Sequence, residues 1–402
     1  MSPLLGVLLA FAVLLVLRAR DVDFSVSMLA ASAVLALTSG KPPTIFVDVA
    51  VQTITDPMTL TLCAAVALIT VLGYSLKETG LMEEMIEGMR GLLPSRVLLA
   101  LIPALFGLLS MPGGALMSAP LNDAEADRLG LRPEHKTYVN VWFRHIWYWA
   151  SPISSLTILA ASLAGLTLSE FLRAQLPLFP VALAIGFVVS APFIRGGGDD
   201  RSEPRNPASA ARGLAPIVAT VLLTIAGAPI WAALAVGIGM VFILKRVTPG
   251  RALGMVRDGV RWEIVASVAA MLFFRYMVVA AGSVDSLLRG ITEAGVPLIV
   301  PLVAVPIVIG ILSGTPTMGV GIVFPLLLPL CGSSGVHLIS VIYAGIVVGY
   351  TASPLHLCLV LTNSYYGSDL GRVYRYLVPS VAVLYAVAVA YHLTMGGFPL
   401  KL

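Results

Sequence analysis

Charged residues are scarce in this sequence. Asp, Glu, Lys and Arg make up 11% of its 402 residues, about half the share found in soluble globular domains. Hydrophobic residues reach 58%, in apolar runs such as 4–17, 60–72, 176–192 and 378–390. Because these runs leave no stretch of ordinary size for a water-soluble domain, the composition predicts an all-α polytopic membrane protein and argues against a soluble enzyme.

Cysteine is also rare. Cys63, Cys331 and Cys358 lie far apart in apolar runs, which argues against a disulfide framework and against a clustered metal site. We therefore expect packing cysteines and no metal or cofactor. The formal charge of +4 comes mainly from arginines in loops, so it reflects orientation in a lipid bilayer and not nucleic-acid binding. The first apolar run lacks a basic start and a cleavage site, and is predicted to be a retained span.

The sequence resembles itself at an offset of about 202 residues. "GLLSMPGGALMSAP" at 107–120 resembles "GILSGTPTMGVGIVFP" at 310–325, and "WASPISSLTIL" resembles "TASPLHLCLVL". The second match places Ser151-Pro152 opposite Ser353-Pro354. A polar, Gly- and Arg-rich stretch at 195–212 separates the copies. We therefore predict an N-terminal repeat at 1–194, a cytoplasmic linker at 195–212 and a C-terminal repeat at 213–402.

Basic residues indicate that the two repeats are inverted. The stretch 43–59 carries no Lys or Arg, whereas its counterpart 245–261 carries five. Since Lys and Arg concentrate in cytoplasmic loops, the two loops are expected on opposite sides. An inverted pair needs an odd number of crossings, and both termini are then extracytoplasmic. The five crossings predicted for the first repeat are 3–18, 24–41, 57–76, 138–165 and 170–194.

Two segments are predicted to enter the membrane without crossing it. Segment 94–121 has two arms of about 14 residues, which reach about 21 Å as helices. It is therefore predicted to form a re-entrant hairpin with its tip at Ser110–Gly114, and 298–330 a second one with its tip at Ser313–Thr317. Broken helices are predicted at about 138–165 and 338–366, each interrupted at its Ser-Pro pair. Such interruptions typically surround a midplane binding site in secondary transporters.

Polar residues at the tips and breaks are the candidates for binding. Arg144, His145 and His356 suit an anionic substrate, and the histidines could also carry protons. Hydroxyls and freed carbonyls suit sodium instead. The substrate-binding candidates are Ser110, Pro112, Gly113, Gly114, Arg144, His145, Ser151, Ser154, Ser155, Ser313, Thr315, Thr317, Ser353 and His356. The ion-binding candidates are Ser110, Ser151, Thr157, Ser313, Gly314, Thr362 and Asn363.

Simpler roles compete with these assignments. Pro and Gly are common where transmembrane helices pack closely. Arg144 could instead anchor its helix at the membrane interface within an aromatic belt of Trp142, Trp147 and Trp149. Arg275 lies in another apolar run. A structural ion pair, or snorkelling of its side chain to the membrane interface, accounts for this residue as well as ligand binding does.

Four motifs carry a family resemblance. "SMPGGALMSAP", "NVWFRHIWYW", "SPLHLCLVLT" and "GRVYRYLVP" resemble an uncharacterised integral-membrane family, domain-of-unknown-function family 401, of the ion-transporter superfamily that includes gluconate, citrate and dicarboxylate permeases. The resemblance implies a scaffold domain and a transport domain that moves like an elevator, in a homodimer held by the scaffolds. It also implies that the tips and breaks bind substrate and ion. This chain has Tyr148 and Asn363-Ser364 where the family pattern has acids, which argues against proton coupling through carboxylates.

Together these observations predict a secondary active transporter of the cell (cytoplasmic) membrane. Its expected substrate is a small anion of the organic-acid class, driven by sodium or protons. A cation/proton antiporter is the first alternative; it requires a buried acid, and the candidates Asp56, Asp258 and Glu263 lie near predicted span ends. An intramembrane enzyme would need a nucleophile beside a base, and no recognisable protease motif is present. A channel or a lipid transporter is the last alternative.

Overall fold

Helices account for the regular structure of this computed structural model. It describes residues 3–20, 22–90, 92–108, 114–194, 206–282, 297–331 and 335–396, and across these ranges no β-strand is present. The first half contains α1 (Pro3–Ala19), α2 (Phe24–Thr38), α3 (Ile45–Thr55), α4 (Pro57–Glu78), α5 (Leu81–Arg90), α6 (Ser95–Leu108), α7 (Gly114–Arg128), α8 (Pro133–His145), α9 (Ser155–Ala164), α10 (Leu168–Gln175) and α11 (Leu178–Ser190). The second half contains α12 (Pro207–Ile225), α13 (Ile230–Leu244), α14 (Pro249–Gly259), α15 (Trp262–Ala280), α16 (Ile299–Ser313), α17 (Pro316–Leu327), α18 (Gly335–Ala352), α19 (Leu357–Tyr366) and α20 (Leu370–Met395).

Six helical stretches among the described residues are long and apolar enough to cross a membrane. They are Pro57–Glu78, Leu168–Ser190, Pro207–Ile225, Trp262–Ala280, Gly335–Tyr366 and Leu370–Met395. Two of them are interrupted: α10 and α11 are separated by Leu176-Pro177, and α18 and α19 by the second Ser-Pro pair. Proline explains both interruptions, because it lacks an amide hydrogen and disfavours helix at the residue before it.

Local chemistry explains where helices begin and end. The Asp56 carboxylate accepts the Thr59 amide at 2.7 Å and caps α4, while Thr167 and Glu170 form a capping box on α10. Such caps satisfy amides that the first helical turn leaves unpaired. At the other end, Gly165 and Gly367 terminate α9 and α19 with φ of +70° and +61°, a left-handed conformation that glycine adopts without a steric cost.

Helix ends recur at a spacing of 202 residues. Gly165 and Gly367 are one such pair, and Ser154 and His356 are another, since they are the N-caps of α9 and α19 with similar extended backbone. The helices themselves follow in the same order, so that α8 and α9 correspond to α18 and α19. The two halves therefore share these helix ends and this order, although α10 and α11 correspond to the single helix α20 and α18 is longer than α8.

The helices pack into two groups, each drawing on both halves of the sequence. Group I consists of α1–α5 and α12–α15, in which α2 packs on α15 and α4 on α13 and α14. Group II consists of α6–α11 and α16–α20, in which α16 packs on α18 and α6 on α7 and α8. The groups meet where α9 and α17 contact α4 and α15. Both Ser-Pro breaks therefore belong to group II, and α9, which follows the first of them, contacts group I.

Two glycines bring the hairpin segments against the broken helices. A Cβ atom on Gly107 of α6 would lie 1.8 Å from the carbonyl oxygen of Arg144, and one on Gly310 of α16 would lie 2.4 Å from that of Ile346. Arg144 and Ile346 are themselves 202 residues apart. The same close backbone approach, which only glycine allows, thus occurs in both halves.

Candidate functional site

A cavity of about 440 Å³, here called cavity A, lies between group I and group II. Its walls combine the first helical break with the start of α17 and with α2 and α15. The first half contributes Asp23, Phe24, Gly107, Arg144, His145, Tyr148, Ser154, Ser155 and Leu156. The second half contributes Glu263, Ile264, Ser267, Thr315, Pro316, Thr317, Met318, Tyr350 and Cys358.

The first break places a cation and hydroxyls on the cavity wall. Helix α8 ends at His145, a 3₁₀ turn covers Ile146–Trp149, and α9 begins after Ser154. The Arg144 side chain is held in the interior, with the residue 6% exposed. Ser154 is buried, and its hydroxyl oxygen has no hydrogen-bond partner in the described structure. The first turn of α9 also begins at this wall, and its amide groups lack partners within the helix. This wall therefore favours negative charge.

The second hairpin places another helix start on the same cavity. Gly314 ends α16 with φ of +67°, and Thr315 then adopts extended backbone and leads into α17 at Pro316. Proline is preorganised for the first helical position, where no amide hydrogen is needed. Thr315 and Thr317 line cavity A. Two helix N-termini, from α9 and α17, therefore face one space, and those helices pack on each other.

Two buried histidines and the half-buried Cys358 form a cluster beside Arg144. The rings of His145 and His356 are 4.7 Å apart between centroids, and the Tyr350 ring is 4.1 Å from that of His356. One ligand atom each from His145, His356 and Cys358 lies within 4.8 Å of the others. Arg144, His145 and Cys358 all line cavity A. His356, a predicted substrate-binding residue, belongs to this cluster but is not among the residues that line cavity A.

Cys358 was missed by sequence reasoning, which treated the three cysteines as packing residues. Its distance from His145 along the chain hid the cluster, because the two residues belong to different halves. Its spacing from His356 was the available signal, since both residues begin α19. Tyr350 and Asp23 were missed as well, because nothing in the local sequence links them to the breaks.

The aromatic-belt explanation of Arg144 fits this packing poorly. Trp142 and Trp149 are 4% and 2% exposed, and the Trp142 indole nitrogen donates to the Ala182 carbonyl at 2.9 Å. Belt tryptophans instead lie at the lipid–water interface. Arg275 is not among the residues of cavity A; its guanidinium lies over the Tyr276 ring at 5.8 Å.

Several predicted residues hold the breaks together and do not line cavity A. The Ser353 hydroxyl donates to the Ile311 carbonyl at 2.5 Å, and the Ser313 hydroxyl donates to the Thr315 carbonyl at 3.0 Å. The Thr157 hydroxyl donates to the Ser151 carbonyl at 2.7 Å, and the Ser151 hydroxyl accepts the amide of Ile153 at 3.3 Å. These bonds replace main-chain partners that the interrupted helices lose.

The remaining predicted residues lie elsewhere. The Thr362 hydroxyl accepts from the Asn140 amide at 3.0 Å, and the Asn140 side-chain oxygen accepts from Ser118 at 2.8 Å. Asn363 accepts from Ser368 at 2.6 Å. The structure therefore separates Thr362 and Asn363 from the lining of cavity A. Gly114 begins α7, whereas Ser110, Pro112 and Gly113 lie outside the described residues.

A second cavity of about 680 Å³, here called cavity B, is lined mainly by α4, α9 and α10 of the first half and by Thr224, Ile225, Ala228 and Ile230 of the second half. Thr61 and Leu62 of α4 line it, 202 positions before Glu263 and Ile264 of cavity A. Ile225 lines it at the position equivalent to Asp23. Ala150 and Pro152 of the first break also line cavity B, whereas their equivalents, Ala352 and Pro354, do not line cavity A. The acidic positions of cavity A are thus hydroxyl or apolar in cavity B.

The apolar spans, the interrupted helices and the packing define a multi-pass membrane protein with a transporter fold. The crystal structure of the Alcanivorax borkumensis YdaH transporter, described as having an unusual topology, matches with a TM-score of 0.59 and 16% identity over 87% of this chain and 88% of that one. The family described as "Protein of unknown function (DUF401)" matches residues 2–394. The chain belongs to that family, which confirms the resemblance in the motifs. No curated protein sequence matches it.

Proposed function

We propose that this protein is a secondary active transporter of a small anion of the organic-acid class, with cavity A as the substrate site. The observation that carries the proposal is the buried Arg144 on a cavity wall that also contains the N-termini of α9 and α17. A buried guanidinium and two helix starts all favour an anion. Hydroxyls of Ser154, Ser155 and Thr317 supply further donors around it.

The coupling ion in this proposal is sodium or a proton. His145 lines cavity A, and the ring of His356 is 4.7 Å from that of His145; histidine is the side chain that ordinarily changes charge near neutral pH, which supports proton coupling. The hydroxyl oxygens of Thr315 and Thr317 on cavity A support sodium coupling, because hard cations require oxygen ligands. Measuring uptake against imposed sodium and proton gradients in separate experiments distinguishes the two.

The transport cycle that we propose is an elevator movement of group II along group I. Equivalent helix ends in the two halves support the inverted repeat, and cavities A and B, which both contain residues of the first break, are the access routes that we propose. Group I, which contains α1–α3 and α12–α14, would form the contact of a homodimer. The proposed orientation places both termini outside the cytoplasm, and the placement in the ion-transporter superfamily belongs to the same proposal.

The experiment begins with the purified protein in detergent. Mono- and dicarboxylates, phosphate and sulfate are screened for thermal stabilisation with and without sodium, because a ligand that binds the folded state raises the apparent stability. Each hit is then tested for uptake into proteoliposomes. Stabilisation by a carboxylate followed by its gradient-driven uptake supports the proposal, whereas flux of ions without any bound or transported anion contradicts it.

The Arg144→Gln variant tests the site itself, with Arg275→Gln as the matched control. Loss of one hydrogen bond to a charged group costs about 1.5–3 kcal/mol. We therefore expect roughly 10- to 100-fold weaker anion binding in Arg144→Gln and near-normal binding in Arg275→Gln, which removes a charge outside cavity A. Equal affinities in the two variants would exclude Arg144 from the site.

A cation/proton antiporter is the second candidate, and the carboxylates of Glu263 and Asp23 on cavity A favour it. Asp56 is a weaker candidate because it caps α4. Antiport predicts sodium-dependent proton efflux from proteoliposomes without any organic anion, abolished in Glu263→Gln. Efflux that persists in this variant, or that requires an anion, rejects the antiporter.

A further inference from the structure

The cluster of His145, His356 and Cys358 has the donors of a zinc site with an open position. The geometry points to a borderline-soft d¹⁰ cation of the zinc class, bound by one nitrogen of each histidine and by the Cys358 sulfur beside cavity A. The three donor atoms lie within 4.8 Å of one another. A tetrahedral zinc ion needs such atoms roughly 3.5 Å apart, given its bond lengths to nitrogen and sulfur. Small side-chain rotations close the difference.

Hydrogen bonds already orient both imidazoles for this role. Nδ1 of His145 is 2.6 Å from the Val141 carbonyl, and Nδ1 of His356 is 3.3 Å from the Thr351 carbonyl. A carbonyl oxygen can only accept, so each Nδ1 donates and each neutral ring keeps its lone pair on Nε2. This is the arrangement that carbonyls impose on metal-bound histidines. It assigns Nε2 as the ligand atom of both rings.

An orphaned polar atom points to a ligand at the same place. Nε2 of His356 is buried without a hydrogen-bond partner in the described structure, and the residue is fully buried. Leaving a buried nitrogen unpaired costs about 1–3 kcal/mol. A zinc ion bound to Nε2 would remove this cost. A histidine that served only to pack the interior would leave the nitrogen unpaired.

The charges of cavity A are compatible with a bound cation. Zinc with a Cys358 thiolate leaves one positive charge, and Arg144 adds a second. Asp23 and Glu263 line the same cavity and offset both. The donor set also matches the ion, because two imidazoles and one thiolate suit zinc, whereas sodium requires oxygen.

Three protein ligands leave the fourth tetrahedral position for a ligand from the cavity, as in catalytic zinc sites. Cys358 and His145 line cavity A, so the open position would face it. There the ion would bind one oxygen of an anion while Arg144 bonds another. This last step rests on the proposed anion transport, whereas metal binding itself does not.

Metal binding is tested on the full chain in detergent. The protein is stripped with a chelator and titrated with Zn²⁺ against a chromophoric competitor, and Co²⁺ is used in parallel as a spectroscopic probe. We expect one ion per chain and a thiolate-to-cobalt charge-transfer band. Cys358→Ser and His356→Gln should lose both, while Cys331→Ser and His337→Gln should keep them. Absence of stoichiometric binding, or binding unchanged in Cys358→Ser, overturns the site.

A second measurement avoids any substitution in the cluster. In the double variant Cys63→Ser/Cys331→Ser, Cys358 is the remaining thiol, and its rate of maleimide alkylation is measured with and without Zn²⁺. Zinc should slow the reaction, and an unchanged rate contradicts the proposal. Anion uptake is measured separately, so zinc binding without uptake rejects the transport proposal alone, and uptake without zinc binding rejects the metal site alone.

Discussion

Gly107 determines how closely α6 can approach the residue that carries the proposed function. A Cβ at this position would lie 1.8 Å from the Arg144 carbonyl oxygen, far inside any allowed contact. The backbone of α8 therefore packs directly on α6, and this contact positions Arg144. A side chain at residue 107 would displace both Arg144 and His145.

The Gly107→Ala substitution should destabilise the protein and weaken the site together. Overpacking of this kind typically costs about 1–3 kcal/mol. The control is Gly239→Ala in α13, where a Cβ meets nothing within 4 Å and alanine should favour the helix by up to about 1 kcal/mol. Thermal unfolding in detergent measures both. Equal stability of the two variants would show that α6 and α8 are not in this contact.

At the residue scale, sequence alone located part of the candidate site. The Ser-Pro breaks and the hairpin tips led to Arg144, His145, Ser154 and Thr315, which line cavity A. Hydroxyl residues such as Ser353 were also predicted to bind, but the structure gives their hydrogen bonds to nearby carbonyls. A sequence shows that a hydroxyl is near a helical break. It does not show whether that hydroxyl forms a hydrogen bond with the main chain at the break.

At the scale of elements, α9 and α19 end with the same backbone geometry although their sequences differ. Both helices end at glycines with positive φ, and a Cβ atom placed on either glycine would meet no other atom within 4 Å. A substitution there therefore changes backbone strain without a clash. This makes the pair a direct test of whether the two halves share local geometry.

We expect Gly165→Ala and Gly367→Ala to lower stability by similar amounts. A left-handed backbone costs a non-glycine residue roughly 1–2 kcal/mol, and the side chain of alanine has room at both sites. Chemical or thermal unfolding of the two single variants gives the comparison. A large effect at one site and none at the other would contradict equivalent helix ends.

Sequence predicted the order and location of the elements better than their detailed form. The segments around both Ser-Pro pairs are interrupted near the expected residues, but the 3₁₀ turn Ile146–Trp149 has no signature in the sequence. The predicted crossing at 170–194 corresponds to the apolar stretch Leu168–Ser190, which consists of two helices, α10 and α11. Periodicity and composition do not fix such local geometry, because packing against α18 and α20 also contributes to it.

At the scale of the whole molecule, the contact between the two helix groups can be locked. Met271 of α15 and Gly321 of α17 face each other across it, with 3.4 Å between the Met271 Cβ and a Cβ placed on Gly321. Disulfides have Cβ atoms about 3.5–4.5 Å apart. A disulfide between these positions would fix group II against group I.

Oxidation of the Met271→Cys/Gly321→Cys variant should abolish transport, and reduction should restore it, if group II moves. The control is Tyr74→Cys/Gly259→Cys, whose Cβ atoms would be 3.2 Å apart within group I. Oxidation should not change the transport activity of this variant. Uptake into proteoliposomes before and after reduction measures both. Full activity of the oxidised first variant would reject relative movement of the groups.

The unequal chemistry of the two cavities has a kinetic consequence. Cavity A presents Asp23 and Glu263 where cavity B presents Ile225 and Thr61. In the proposed cycle, an anion approaching through cavity A would pass the carboxylates of Asp23 and Glu263, whereas the residues that line cavity B include Arg173 and no acid. Import and export would then show different apparent affinities and different sensitivity to ionic strength. Transport in one direction would then be faster than in the other, even when the driving gradients are equal.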